Sequence, residues 1–92
     1  MRLNEDQIDD HLARVGGWRL EGNEIARSLK FADFNEAIEF VNRVAGVADE
    51  MDHHPDIFIH GWNHVRLSVT THDAGGLTER DFRFAERINA LV

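Results

Sequence analysis

"DHHPDIFIHGWNHVRLSVTTH", residues 52–72, contains the passage that decides the fold. From His64 onward, Val65, Leu67, Val69 and Thr71 alternate with His64, Arg66, Ser68, Thr70 and His72. A period of two with one apolar side is the mark of a strand with one buried face. Upstream, Ile57-Phe58-Ile59 is a short apolar run, and Gly61 with Asn63 supplies turn chemistry between the two. The stretch therefore predicts a β-hairpin. Pro55 biases His54 away from the α region, so the helix that precedes it must finish at or before that point.

That preceding helix is well signalled. Asp33 followed by Glu36 is a capping signature, and Phe34, Ala37, Ile38, Val41, Val44, Ala45 and Ala48 recur at helical spacing. Further upstream, Gly22-Asn23 separates two extended runs within "WRLEGNEIARSLKF", residues 18–31, which predicts a first hairpin. Arg27 interrupts the apolar side of its second strand. Asn4 and Gln7 form a capping pair before Ile8, Leu12 and Val15, with Gly16-Gly17 as the stop. Downstream, Thr78 and Asp81 open a last helix carrying Phe82, Ala85, Ile88 and Val92. The order is αββαββα over residues 1–92: an α+β domain with a four-stranded antiparallel sheet and helices packed on one face.

Composition narrows the function. The chain has 92 residues, 42% hydrophobic and 29% charged, as expected of a small globular domain with a modest core. Association with a second copy, as a homodimer or beyond that a tetramer, is a natural way to extend such a core. Seventeen acidic against ten basic residues give a formal net charge of −7, which disfavours direct nucleic-acid binding. Without cysteine there are no disulfides, thiolate metal sites or thiol nucleophiles. The acidic N-terminus is unlike a signal peptide and no apolar run is long enough to span a bilayer, so a cytoplasmic protein with no membrane association is expected.

The chemistry lies in the histidines. Five of the six fall between residues 53 and 72. Imidazole titrates near neutrality and can give and take a proton in one cycle; it is also a common metal ligand. The spacings do not favour metal. His60 and His64 flank a turn, and the adjacent His53 and His54 project in different directions. His11, His60 and His64 read most simply as polar or boundary positions, and Asp81 as a helix cap. The stretch around residues 53–56 lies at a strand start and that around 72–76 at the partner's end. Antiparallel pairing therefore brings His53, His54 and His72 to one edge of the fold. The residues alone leave a proton-transfer pocket and a merely polar edge both open.

The block from Asp49 to Asp81 resembles pterin-4a-carbinolamine dehydratase. Asp49, His53-His54-Pro55, Trp62, His72 and Asp81 fill the places of its signature: an acidic residue, His-His-Pro, an aromatic, a later histidine and an aspartate. "GWRLEG" and "KFADFNEAIEFVNRVA" are similar to further family segments, so the resemblance spans nearly the whole chain. It implies dehydration of a 4a-hydroxytetrahydropterin to a quinonoid dihydropterin in pterin recycling, with no metal or organic cofactor. It also implies that His53, His54 and His72 are the catalytic and pterin-contacting histidines. His53 and His72 would form the proton-transfer pair, with His54 holding the ring. Asp49 and Asp81 would orient imidazoles, Trp18 would border the pterin, and Pro55, Thr71 and Asp73 would complete the contacts. Two departures stand out: Gly61 lengthens the turn before Trp62, and Asp49 stands where many members carry glutamate. A competing implication comes from the same fold. It also serves non-enzymatic binding modules, as a dimerisation cofactor of a transcription factor and as Rubisco assembly factors.

Overall fold

The computed structural model describes all residues, Met1–Val92. The elements are α1 (Glu5–Arg14), β1 (Arg19–Glu21), β2 (Glu24–Lys30), α2 (Phe34–Met51), β3 (Asp56–His60), β4 (His64–Val69), a 3-10 turn (His72–Ala74) and α3 (Glu79–Asn89). The αββαββα order and the α+β class expected from sequence are found. The four strands form one antiparallel sheet in the order β1-β2-β4-β3, so β2 and β4, from different hairpins, meet at its centre.

The pleat explains the burial. Ile25 pairs with Val69, Arg27 with Leu67 and Leu29 with Val65, and Ile57 and Ile59 of β3 fall in the same rows. All these side chains share one face. Ile25, Val65, Leu67 and Val69 join Ala37, Phe40, Val44 and Val47 of α2 and Phe82, Phe84, Ala85 and Ile88 of α3 in the core. At about 1.5–3 kcal/mol for each large side chain removed from water, this layer is the main source of stability. The helix α1 contributes no fully buried residue; Ile8 and Leu12 only lean on the core.

Arg27, the interruption in the apolar side of β2, does point inward. Its guanidinium donates to Asn89 Oδ1, which also accepts from Trp18 Nε1 at 2.8 Å, while Asn89 Nδ2 donates to the Gly16 carbonyl. One asparagine thus satisfies the polar atoms that the first hairpin turns toward the core. Gly22, at φ 63°, opens a two-residue loop in which Asn23 keeps a negative φ, the pattern of a type II′ hairpin turn.

The strand β4 and the helix α3 end sooner than expected, and α2 finishes before His54 as expected but by a device other than Pro55. The helix α2 is stopped by its own last turn, three residues before Pro55. Asp52 adopts a left-handed conformation (φ 52°, ψ 44°); its N–H bonds to Asp49 O, and the His53 N–H bonds to Ala48 O. This is a Schellman closure, with aspartate where glycine is usual. The strand β4 ends at Val69 instead of His72. Thr71 makes an isolated bridge to Gly76, and His72 begins a 3-10 turn, because the chain must curl back to enter α3. No helix is long and apolar enough to cross a membrane.

Candidate active site

Local structure places each histidine. The Schellman closure of α2 fixes the backbone of His53, and its ring lies edge-on to Phe84 of the core, 6.3 Å between centroids. Only 7% of His53 remains exposed. The capping geometry of α3 places its partner. The Asp81 carboxylate is fully buried; Oδ2 accepts from the Thr78 N–H at 2.9 Å and from the Thr71 hydroxyl at 2.8 Å. Oδ1 is left to face His53 Nε2 at 2.6 Å.

Because the Thr71 hydroxyl proton goes to Asp81, the 2.9 Å contact between Thr71 Oγ1 and Thr78 Oγ1 must be donated by Thr78. A directed chain runs from Thr78 through Thr71 to Asp81, and His53 donates to Asp81 from the other side. Three donors converge on one carboxylate. They offset the cost of burying its charge, which an unpartnered carboxylate could not sustain there. With the carboxylate ionised, His53 carries its proton on Nε2 and leaves Nδ1 as the basic nitrogen. Nδ1 has no protein partner, yet it is not among the buried polar atoms lacking one; His64 Nδ1 alone is. The basic nitrogen of His53 therefore keeps access to solvent.

The other expected site residues are brought together only in part. His54 Nε2 lies 3.0 Å from Asp49 Oδ1, on the exposed surface one residue beyond His53. His72 and Asp73 are exposed on the 3-10 turn directly after Thr71, and Pro55 is half-buried. His72 makes no side-chain hydrogen bond. It is tied to His53 through the adjacent Thr71 and Asp81, not by contact. Trp18 is buried and bonded to Asn89, about 12 Å of helix beyond Asp81 along α3. Its ring belongs to the core cluster. Trp62 is exposed at the β3–β4 turn, with φ 57°, a strand's length of about 17 Å from the His-His-Pro end.

From sequence Thr78 is only a helix cap; in the structure its hydroxyl belongs to the site's hydrogen-bond chain. The same Thr-x-x-Asp spacing that signals the cap was the available sign, since it places the carboxylate beside the threonine N–H. Asp81 proves to be both cap and histidine partner, one oxygen for each. His60 and His64 stack on the open sheet face, 5.2 Å between centroids, remote from this cluster. No three His, Cys, Asp or Glu side chains are grouped so that they could hold a metal ion.

Known proteins match the chain over nearly its whole length. The family model described as pterin 4 alpha carbinolamine dehydratase matches residues 1–91. A Chloroflexus aurantiacus protein named "Putative pterin-4-alpha-carbinolamine dehydratase" is 50% identical, covering 99% of this chain and 97% of its own. One from Sulfolobus acidocaldarius with the same name is 43% identical, covering 99% of both chains. Among solved structures, a transcriptional coactivator/pterin dehydratase from Brucella melitensis superposes with a TM-score of 0.92 at 36% identity, over 99% of this chain and 98% of its own. A pterin dehydratase-like RuBisCO assembly factor of the alpha-carboxysome shares the fold, with a TM-score of 0.69 at 24% identity, covering 88% and 92%. The chain belongs to the pterin 4 alpha carbinolamine dehydratase family.

Proposed function

We propose that this protein dehydrates a 4a-hydroxytetrahydropterin to the quinonoid dihydropterin by histidine acid–base catalysis, serving tetrahydropterin recycling. The reaction breaks the bond from C4a to the hydroxyl and removes a ring N–H proton, so it needs an acid at the leaving oxygen and a base at the nitrogen. The observation that supports this reading is the His53–Asp81 pair. A buried carboxylate fixes the tautomer and aim of an imidazole whose second nitrogen reaches solvent. His72, exposed beside Thr71, is the second proton-transfer group, and His54 with Asp49 holds the flat ring. Pro55, Thr71 and Asp73 frame the pocket. No cofactor is required, since the imidazoles supply both proton transfers.

The test is direct. Chemically generated 4a-hydroxytetrahydropterin should lose water faster with the protein than in buffer, and His53→Ala should remove most of the gain. Wild-type protein that gives no acceleration overturns the reading.

A second reading, a non-enzymatic binding module, rests on a different surface. The edge strand β3 and its turn expose Ile57, Phe58 and Trp62, at 37%, 58% and 61%. Apolar side chains beside unpaired strand backbone suit addition of another strand, either from a second copy in a homodimer or from a foreign chain. Sedimentation of the purified protein separates these two, and a monomer at micromolar concentration counts against self-association.

A further inference from the structure

An open cleft of about 760 Å³ lies beside the histidine cluster and shares Thr71 and Thr78 with its hydrogen-bond chain. The N-terminal segment, α1, the 3-10 turn and the first turns of α3 line it. Its cationic lining is Arg2, Arg80 and Arg83, with His11 beside them, and its acidic lining is Asp73 and Glu79. In a chain with 17 carboxylates and 10 basic residues, Arg14, Arg19, Arg66 and Arg87 find carboxylate partners, Arg27 bonds to Asn89, and Arg43 stands alone on α2. None of the three cavity arginines forms a salt bridge, although two carboxylates share the lining.

Their positions are also built. Leu3 N–H bonds to Leu77 O at 2.8 Å, which ties the N-terminal segment to the loop before α3. Arg2 then lies across Gly76, where a Cβ would stand 2.7 Å from Arg2 Cδ, so a larger residue there would have to displace the arginine. Arg2 donates to Gly75 O and Arg80 to Asp52 O, which leaves guanidinium donors unspent on both; the Arg83 side chain makes no hydrogen bond. His11 is held flat against Phe82, 4.8 Å between centroids.

We propose that this cavity is an anion-binding site for a phosphate- or carboxylate-bearing small molecule. Guanidinium groups match such oxyanions two bonds at a time, and three unpaired ones concentrate positive potential in an otherwise acidic molecule. The volume lies in the range of small-molecule pockets and exceeds what a bare ion needs. The anion is either a free metabolite or the acidic side chain of the pterin itself, since Thr71 and Asp73 border both this cavity and His72.

The probe is inorganic pyrophosphate, titrated calorimetrically at low ionic strength into wild type, Arg83→Gln and Arg43→Gln. Arg43 is an unpaired arginine on α2, outside the cavity. Binding should weaken about tenfold in Arg83→Gln, the loss of one charge-assisted contact, and stay within about twofold in Arg43→Gln. No binding at millimolar pyrophosphate overturns the proposal, and so does equal weakening by both variants, which would mark diffuse surface attraction. Turnover separates the two sources, a step that rests on the dehydratase reading. If the anion is part of the substrate, Arg83→Gln raises KM only for a 4a-hydroxytetrahydropterin with a carboxylated side chain, and pyrophosphate competes with it. If the anion is a separate metabolite, pyrophosphate binds without competing. Calorimetry needs no turnover, so failure of the dehydratase reading leaves the binding result intact.

Discussion

His53 Nε2 and Asp81 Oδ1 lie 2.6 Å apart in a nearly dry pocket, although 28 positions separate them in sequence. The relationship joins the end of α2 to the start of α3 and sets what each residue can do. Asp81 is held from its other oxygen by Thr71 and Thr78, so His53 has an orienting partner that cannot turn away.

Asp81→Asn tests that partnership. An amide can no longer accept every proton offered to the carboxylate, so turnover should fall about 10²–10⁴-fold. Stability should drop by about 1–3 kcal/mol as a buried donor loses its partner. Steady-state rates and urea unfolding read the two effects separately.

His72→Ala should behave differently. His72 is exposed and makes no side-chain hydrogen bond, so stability should change by no more than about 0.5 kcal/mol. Turnover should nevertheless fall by about two orders of magnitude, the usual share of one acid–base group. Unimpaired turnover removes His72 from the mechanism.

Asp52→Gly should stabilise the protein. A left-handed residue other than glycine costs about 1 kcal/mol, and the Asp52 side chain makes no hydrogen bond in compensation. Thermal unfolding should shift upward by several degrees. A lower midpoint would mean that the carboxylate holds the turn in some other way.

Trp62→Gly separates rim from site. With φ at 57° and most of its ring in solvent, Trp62 occupies a position that glycine fits better. If the distance to the His-His-Pro end governs, kcat should stay within about twofold of wild type, far less than the loss of an acid–base group. A large fall in kcat would place Trp62 against the substrate, through a second copy of the chain.

Asn89→Ala should destabilise by about 2–3 kcal/mol, because Trp18 Nε1 and the Arg27 guanidinium both lose their acceptor. Trp18 fluorescence should shift in the folded state as its indole N–H is released. An unchanged unfolding midpoint would show that water replaces the asparagine.

Much of the architecture was legible in the residues. Alternation from Val65 to Val69 set the inward face of β4, and Asn4, Asp33 and Thr78 marked the helix starts; in α2 the spacing found Ala37, Val44 and Ala48, but it included Phe34 and Ala45, which are exposed, and passed over Phe40 and Val47, which are buried. Such local rules work because each depends on neighbours within a turn or a pleat. A proline rule bounded the end of α2, whereas the left-handed Asp52 sets it, three residues before Pro55. Aspartate is a less frequent left-handed residue than glycine, so its sequence sign is faint.

The sequence by itself determined the strand and helix order, the inward face of β4, the acidic charge and the set of histidines and aspartates available for chemistry. Tertiary structure alone decided their grouping. Pairing β2 with β4 and packing α2 against α3 put Asp81 beside His53, kept Trp18 with Asn89, and left Arg2, Arg80 and Arg83 around one cavity. The reason is physical: a side chain's type and its local backbone follow from nearby residues, whereas its partner depends on where distant segments come to rest.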